Sequence, residues 1–242
     1  MTTVLLVRHG RTTANAGGVL AGWTPGVRLD DTGRGQAQAL GRRLADVPLT
    51  AVVSSPLERC RETVAELLAE RPDIVVHEDD RVGECRYGDW TGRELKTLTK
   101  DPMWKVVQSH PSAAVFPGEG GESLAAMSAR AVAAVREWNA TLGDEATYLL
   151  CSHGDVIKAI LADAFGMHLD DFQRVVVDPA SLSVVRYSAL RPFVERVNDT
   201  GGSVGGLLPP KRKGRRRKTS SDAAVGGGAG PAGAAPSASA RK

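Results

Sequence analysis

Two short apolar runs, far apart in the chain, end in the same way. Val4-Leu5-Leu6-Val7-Arg8-His9-Gly10 and Tyr148-Leu149-Leu150-Cys151-Ser152-His153-Gly154 each hold four apolar residues, then a polar residue, a histidine and a glycine. Runs of this length and composition read as buried strands. Strands covered on both faces belong inside a parallel sheet. Residues just past the C-terminal ends of such strands form the ligand crevice. The pattern therefore brings two imidazoles, 144 positions apart, towards one pocket.

The sequence between them supplies helices to cover the sheet. Residues 10–31 lack helical period and hold five glycines, which predicts a long loop leaving the first strand. A helix is expected from about Thr32, with Ala37, Leu40, Leu44 and Val47 on one face and Pro48 ending it. A strand follows over 50–54. Ser55-Pro56-Leu57-Glu58 reads as a capping box with proline at the first helical position. It opens a helix to about Glu70, with Leu57, Val64, Leu67 and Leu68 inward. Arg59 falls in the first turn of that helix, where a cation opposes the helix dipole unless water or a bound anion offsets it. Further on the pattern predicts a strand at 74–77, a turn-rich stretch at 81–92 and short helices around 95–107. A long helix over 122–142 turns Leu124, Met127, Ala131, Val135 and Trp138 inward, with Gly143 capping it. The strand at 147–151, a helix at 156–165 and strands at 174–178, 182–187 and 193–197 complete the series. The alternation predicts an α/β fold of three layers. Helices cover both faces of a mostly parallel central sheet that has an antiparallel edge.

Charge divides the chain. Residues 209–242 hold nine Lys/Arg against one acid, Asp222, whereas residues 1–208 hold 22 basic and 27 acidic residues. The expected division is a globular domain over 1–204 and a disordered tail over 205–242, first basic, then rich in Gly, Ala and Ser. The block Lys211–Lys218 suits nucleic acid or another anionic surface, but a solubilising extension is the preferred reading. Cys60, Cys85 and Cys151 make neither a paired framework nor a metal spacing, and suit a reducing compartment. No apolar run approaches the ~20 residues of a membrane span or a signal-peptide core. The expectation is a cytoplasmic protein with no membrane partner.

Phosphoryl transfer needs a nucleophile, positive donors around the equatorial oxygens and an acid for the leaving oxygen. His9 at a strand end, with Gly10 allowing close approach of the backbone, suits the nucleophile. Arg8 supplies a planar fork that matches phosphate oxygens. Arg59, at the start of a helix that follows another strand, converges on the same anion, and His153, if protonated, adds a further cation. The set calls for no metal and no cofactor.

These residues fall into five ordered blocks. They are Leu6-Val7-Arg8-His9-Gly10-Arg11-Thr12 with Asn15, Leu29-Asp30-Asp31-Thr32-Gly33 with Gln36-Ala37, Ser54-Ser55-Pro56-Leu57-Glu58-Arg59, Glu84 with Tyr87-Gly88-Asp89-Trp90-Thr91-Gly92, and Ser152-His153-Gly154. Together they resemble the histidine phosphatase superfamily, which includes the cofactor-dependent phosphoglycerate mutases. The resemblance implies that His9 becomes phosphohistidine and that Arg8, Arg59 and His153 hold the phosphoryl oxygens. It implies that Glu84 protonates the leaving group and then activates water, and that Asn15 helps bind the phosphoryl group or substrate. Glu84 is singled out by the resemblance alone.

The chain departs from the mutase pattern at several points. Ala21 stands where mutases have Thr, Leu95 where they have Lys and Asp155 where they have Asn, and residues 101–121 contain no Arg. These departures favour hydrolysis of a small-metabolite phosphomonoester. The alternatives are a phosphomutase acting on a phosphorylated sugar or sugar acid and, from another class, a phospholigand or nucleic-acid binder using the tail. His77, His110 and His168 are read as structural or exposed, and Cys85 as a small half-buried residue. Arg11, Arg61 and Arg86 line the pocket mouth or are solvated, and Trp23 and Trp90 are pocket walls or packing.

Overall fold

The computed structural model describes residues 1–202 together with residues 225, 226 and 228. Strands β1 (Thr2–Arg8), β2 (Ala51–Ser54), β3 (Val76–Glu78), β4 (Thr147–Ser152), β5 (Leu182–Tyr187) and β6 (Pro192–Asp199) form one sheet in the order β3-β2-β4-β1-β5-β6. The first four are parallel neighbours, and β5 and β6 add the antiparallel edge.

Side chains of a strand alternate between faces, and here the alternation builds two cores. Leu5 and Val7 of β1, Val52 of β2 and Leu149 and Cys151 of β4 pack with Leu40, Val64 and Leu67. Those partners come from α2 (Asp31–Arg43) and α3 (Glu58–Leu67). On the other face Val4, Leu6, Val53, Tyr148 and Leu150 pack with Met127, Ala131, Val135, Ile157 and Ile160. These belong to α6 (Leu124–Leu142) and α7 (Gly154–Phe165). Short helices α1 (Thr13–Gly17), α4 (Leu95–Leu98) and α5 (Pro102–Ser109) lie in the connecting segments. Trp90 is packing, buried against Trp104 and Phe116.

Several predicted elements are corrected. The 10–31 loop contains α1, whose cap is a reciprocal pair between Thr12 and Asn15. Helix α2 stops at Arg43, short of Val47. Helix α3 begins at Glu58 with Leu57 as its cap, so the expected Ser55 capping box does not form. Both of its side chains are taken elsewhere: Ser55 Oγ pairs with Nε2 of His153, and the Glu58 carboxylate accepts from the Gly26 N–H. The third strand is shifted to Val76–Glu78. Residues 174–178 form no strand; the Val177 carbonyl accepts from Arg8 Nη1 at 2.8 Å instead of joining a ladder.

Among the described residues no helix is long and apolar enough to cross a membrane. The block 211–218 lies outside the described residues. Of the tail expected to be disordered, Val225, Gly226 and Gly228 are described, and all three border the same cleft as His9.

Candidate active site

Register brings the two histidines together. Arg8 of β1 pairs with Ser152 of β4, so His9 and His153 are each the next residue beyond adjacent paired strands. Their rings lie 5.2 Å apart, and both are buried. Strand β2 flanks β4 on its other side and delivers Ser54-Ser55 to the same edge. Gly10 allows this crowding: a Cβ there would come within 2.5 Å of the Gly33 carbonyl oxygen at the start of α2.

The His9 ring has a defined tautomer. Its Nδ1 lies 2.8 Å from the Gly10 carbonyl, which can only accept, so Nδ1 carries the proton. Nε2 is left with its lone pair and accepts from Arg59 Nε–H at 3.3 Å. Burial, and after it the charges of Arg59 and Arg8, hold the His9 pKa well below the ordinary imidazole value. The ring is therefore neutral, with one basic nitrogen facing a guanidinium.

Arg59 projects from the first turn of α3 and is buried, contrary to the solvated alternative. Its Nη2 donates to the Gly22 carbonyl at 2.8 Å, while Nη1 has no hydrogen-bond partner among the described residues. Arg8, at the end of β1, is fully buried and donates from Nη1 to Val177 and Gly228 carbonyls, each at 2.8 Å. His153 caps α7 from outside. With Ser55 O–H donating to His153 Nε2 at 2.8 Å, the serine oxygen stays open to the Leu57 N–H. We assign the His153 proton to Nδ1 on that basis. That nitrogen lies 3.8 Å from Glu84 Oε2. Burial, then Arg59 and His9, keep the His153 pKa well below its usual value, so it is a neutral donor and not the further cation expected of a protonated ring.

Glu84 is buried in the same cleft. Burial, and next the charge of Asp155, push its carboxyl up to about 7, against the pull of Arg59, the Cys85 N–H and Arg8. Its main-chain carbonyl is clamped by Trp23 Nε1 at 2.6 Å and Arg130 Nη2 at 2.9 Å. Asp155 is fully buried, accepts from Tyr87 O–H at 3.0 Å and has Lys158 Nζ at 3.6 Å. Asn15 lines the cleft, but its Oδ1 is occupied by the α1 cap. Two of the positions that depart from the mutase pattern, Ala21 and Leu95, line the cleft as well.

The geometry thus gathers His9, Arg59, Glu84 and Asn15 on the wall of one cleft and sets Arg8 and His153 next to it, Arg8 against Gly228 and His153 against the His9 ring. Residues 4–200 match the histidine phosphatase superfamily, branch 1. The chain belongs to the histidine phosphatase superfamily. It is 29% identical over 211 residues to phosphoserine phosphatase 1 of Hydrogenobacter thermophilus, covering 83% of this chain and 93% of that protein. It is 30% identical over 182 residues to 2,3-bisphosphoglycerate-dependent phosphoglycerate mutase 2 of Gloeobacter violaceus, covering 74% and 82%. The structure of a mycobacterial glucosyl-3-phosphoglycerate phosphatase in complex with VO3 is similar at a TM-score of 0.71 and 26% identity, covering 81% of this chain and 98% of that one.

For this histidine phosphatase, the sequence reading missed the supports of the site. Arg130 follows the buried Met127 by three positions and precedes the buried Ala134 by four, so it flanks the apolar stripe of α6. That spacing is a usable signal. Trp23 proves to be a clamp as well as a platform for Arg86, whose guanidinium lies 4.0 Å from its ring centre. Arg11 pairs with Asp30, and Arg61 with Glu78, so neither joins the cleft. His77 packs on Trp138, and Cys85 is fully rather than half buried.

Proposed function

We propose that this chain is a phosphatase that hydrolyses phosphomonoesters of small metabolites through a phosphohistidine on His9, without a metal. The observation that carries the reading is the basic Nε2 of His9 facing Arg59 in a buried cleft shared with Glu84. A neutral imidazole whose other nitrogen is fixed by a carbonyl is aimed for attack.

In the first step His9 Nε2 bonds to phosphorus as the ester P–O bond breaks, and protonated Glu84 gives its proton to the leaving oxygen. A carboxyl raised to about 7 holds that proton near neutrality. Arg8, Arg59 and the Nδ1–H of His153 receive the equatorial oxygens, and the unmatched Arg59 Nη1 gains a partner. Asn15 adds a contact at the cleft wall. In the second step ionised Glu84 takes a proton from water, the water oxygen bonds to phosphorus, and the P–N bond breaks. Phosphate leaves, and His9 recovers its lone pair.

Hydrolysis is favoured over return of the phosphoryl group to substrate. Ala21 and Leu95 offer no charge or hydroxyl to a second anionic group, and the buried Asp155 lowers the attraction of the site for one. We infer a soluble, cytoplasmic enzyme on the composition of the chain. The test is phosphate release from p-nitrophenyl phosphate in EDTA, with an acid-labile phosphate adduct trapped on His9. Loss of both in His9→Ala is expected, and full activity of that variant overturns the mechanism. An isomerised phosphoester appearing before free phosphate assigns the mutase reading instead.

A further inference from the structure

The segment Val225–Gly228 comes from the far end of the chain, yet its described residues line the same cleft as His9, Arg59 and Glu84. Three kinds of contact hold it. Two main-chain oxygens lie on the Arg8 fork: Gly228 O on Nη1 at 2.8 Å and Gly226 O on Nη2 at 3.4 Å. The Gly226 N–H donates to the buried Asp155 carboxylate at 2.8 Å. The Val225 side chain is 1% exposed and belongs to the apolar core cluster that includes Leu20 and Tyr87.

We propose that this glycine segment is an intramolecular plug that competes with substrate for the active site, resting on the phosphatase reading above. The Arg8 guanidinium is the fork that would grip two phosphoryl oxygens, and two carbonyl oxygens of the segment occupy it. The segment and a bound phosphoryl group therefore exclude each other at Arg8. The fit is particular to glycine at one position. Gly226 has φ +75°, and a Cβ there would come within 2.9 Å of Leu20 Cδ1. Reach is ample, because the 23 residues from Gly202 to Val225 extend to at most about 80 Å. A tethered ligand acts at a local concentration set by its linker, so modest contacts suffice to close the site.

The test uses full-length chains bearing Val225→Asp or Gly226→Val, neither of which is itself assigned a part in the chemistry. Inorganic phosphate affinity is measured by calorimetry, and KM and kcat with p-nitrophenyl phosphate. The expected result is phosphate binding about tenfold tighter and KM about tenfold lower, with kcat unchanged. Tenfold is about what loss of one buried valine shifts an equilibrium. Unchanged phosphate affinity and KM in both variants overturn the plug even where hydrolysis is found. Tighter phosphate binding in chains that hydrolyse no ester upholds the plug and overturns the phosphatase reading. Inhibition of the parent chain that grows with its own concentration assigns the segment to a second copy and overturns the intramolecular form.

Discussion

The Nε–H of Arg59 meets the Nε2 of His9 at 3.3 Å. The cation that would bind a phosphoryl oxygen also keeps the attacking nitrogen free of a proton. Those two duties can be separated by substitution. Arg59→Lys keeps the charge and loses the planar fork; kcat/KM is expected to fall about 10²–10³-fold with the acid limb of the pH profile in place. Arg59→Met loses the charge too. The His9 pKa, held down first by burial and next by Arg59, then rises, and the acid limb moves to higher pH. Steady-state pH profiles of the two variants decide the matter; a common limb in both removes Arg59 from control of His9.

Glu84 carries a stability signature that can be read without substrate. Its carboxyl is raised from 4.5 to about 7 in the folded chain, so folding favours the protonated form. The stabilisation is complete below the unfolded value and is lost as pH rises through the folded one. Glu84→Gln has no proton to lose. The unfolding free energy of the parent is therefore expected to drop relative to Glu84→Gln between pH 5 and pH 8, by on the order of 2 kcal/mol, and its melting temperature with it. Parallel melting curves at both pH values contradict it. The same variant is expected to lose about 10²–10⁴-fold in kcat on alkyl phosphates, and less on p-nitrophenyl phosphate, whose leaving group needs little protonation.

Much of this site was legible in the sequence because its chemistry sits where regular structure ends. His9 and His153 follow apolar runs whose period and length identify them as buried strands, and the sheet register then fixes their distance. Arg59 was legible through a conflict, a cation in the first turn of a helix. Glu84 was not legible from residues alone, since its carboxyl lies in a turn-rich segment without a period. The Ser55 capping box was misread because a local rule met a stronger tertiary partner in His153. Val175-Val176-Val177 resembles a strand in composition, but the Val177 carbonyl is claimed by Arg8. The seat of Val225 was hidden by its setting, one buried apolar residue in a stretch too poor in apolar residues to form a core of its own.

Asp155 is expected to tune Glu84 through space. Its charge is the second cause, after burial, of the raised Glu84 pKa. Asp155→Asn removes the charge and keeps an oxygen for the Tyr87 hydroxyl, which the carboxylate receives at 3.0 Å in the parent. The Glu84 pKa then falls, the protonated acid is lost sooner as pH rises, and the alkaline limb of kcat/KM moves to lower pH. Asp155→Glu, which keeps the charge, is expected to leave the limb near its original position. Equal limbs in the parent and Asp155→Asn exclude this tuning.

Arg130 is expected to matter more than a partly buried arginine ordinarily does. Its Nη1 donates to the Arg81 and Gly83 carbonyls at 2.7 and 2.8 Å, and Nη2 donates to the Glu84 carbonyl at 2.9 Å and to Glu122 at 2.6 Å. One side chain on α6 thus fixes the backbone on which the Glu84 carboxyl depends. Arg130→Met keeps most of the aliphatic packing and leaves three carbonyls without that donor. The expected cost is about 2–3 kcal/mol of stability, read by denaturant unfolding, given about 1 kcal/mol for each hydrogen bond net of water. Loss of aim at Glu84 is expected to lower kcat by about tenfold or more on alkyl phosphates. Inorganic phosphate affinity should change little, because Arg8, Arg59 and His153 remain in place. A kcat equal to that of the parent, with the same loss of stability, reduces Arg130 to a purely architectural clamp.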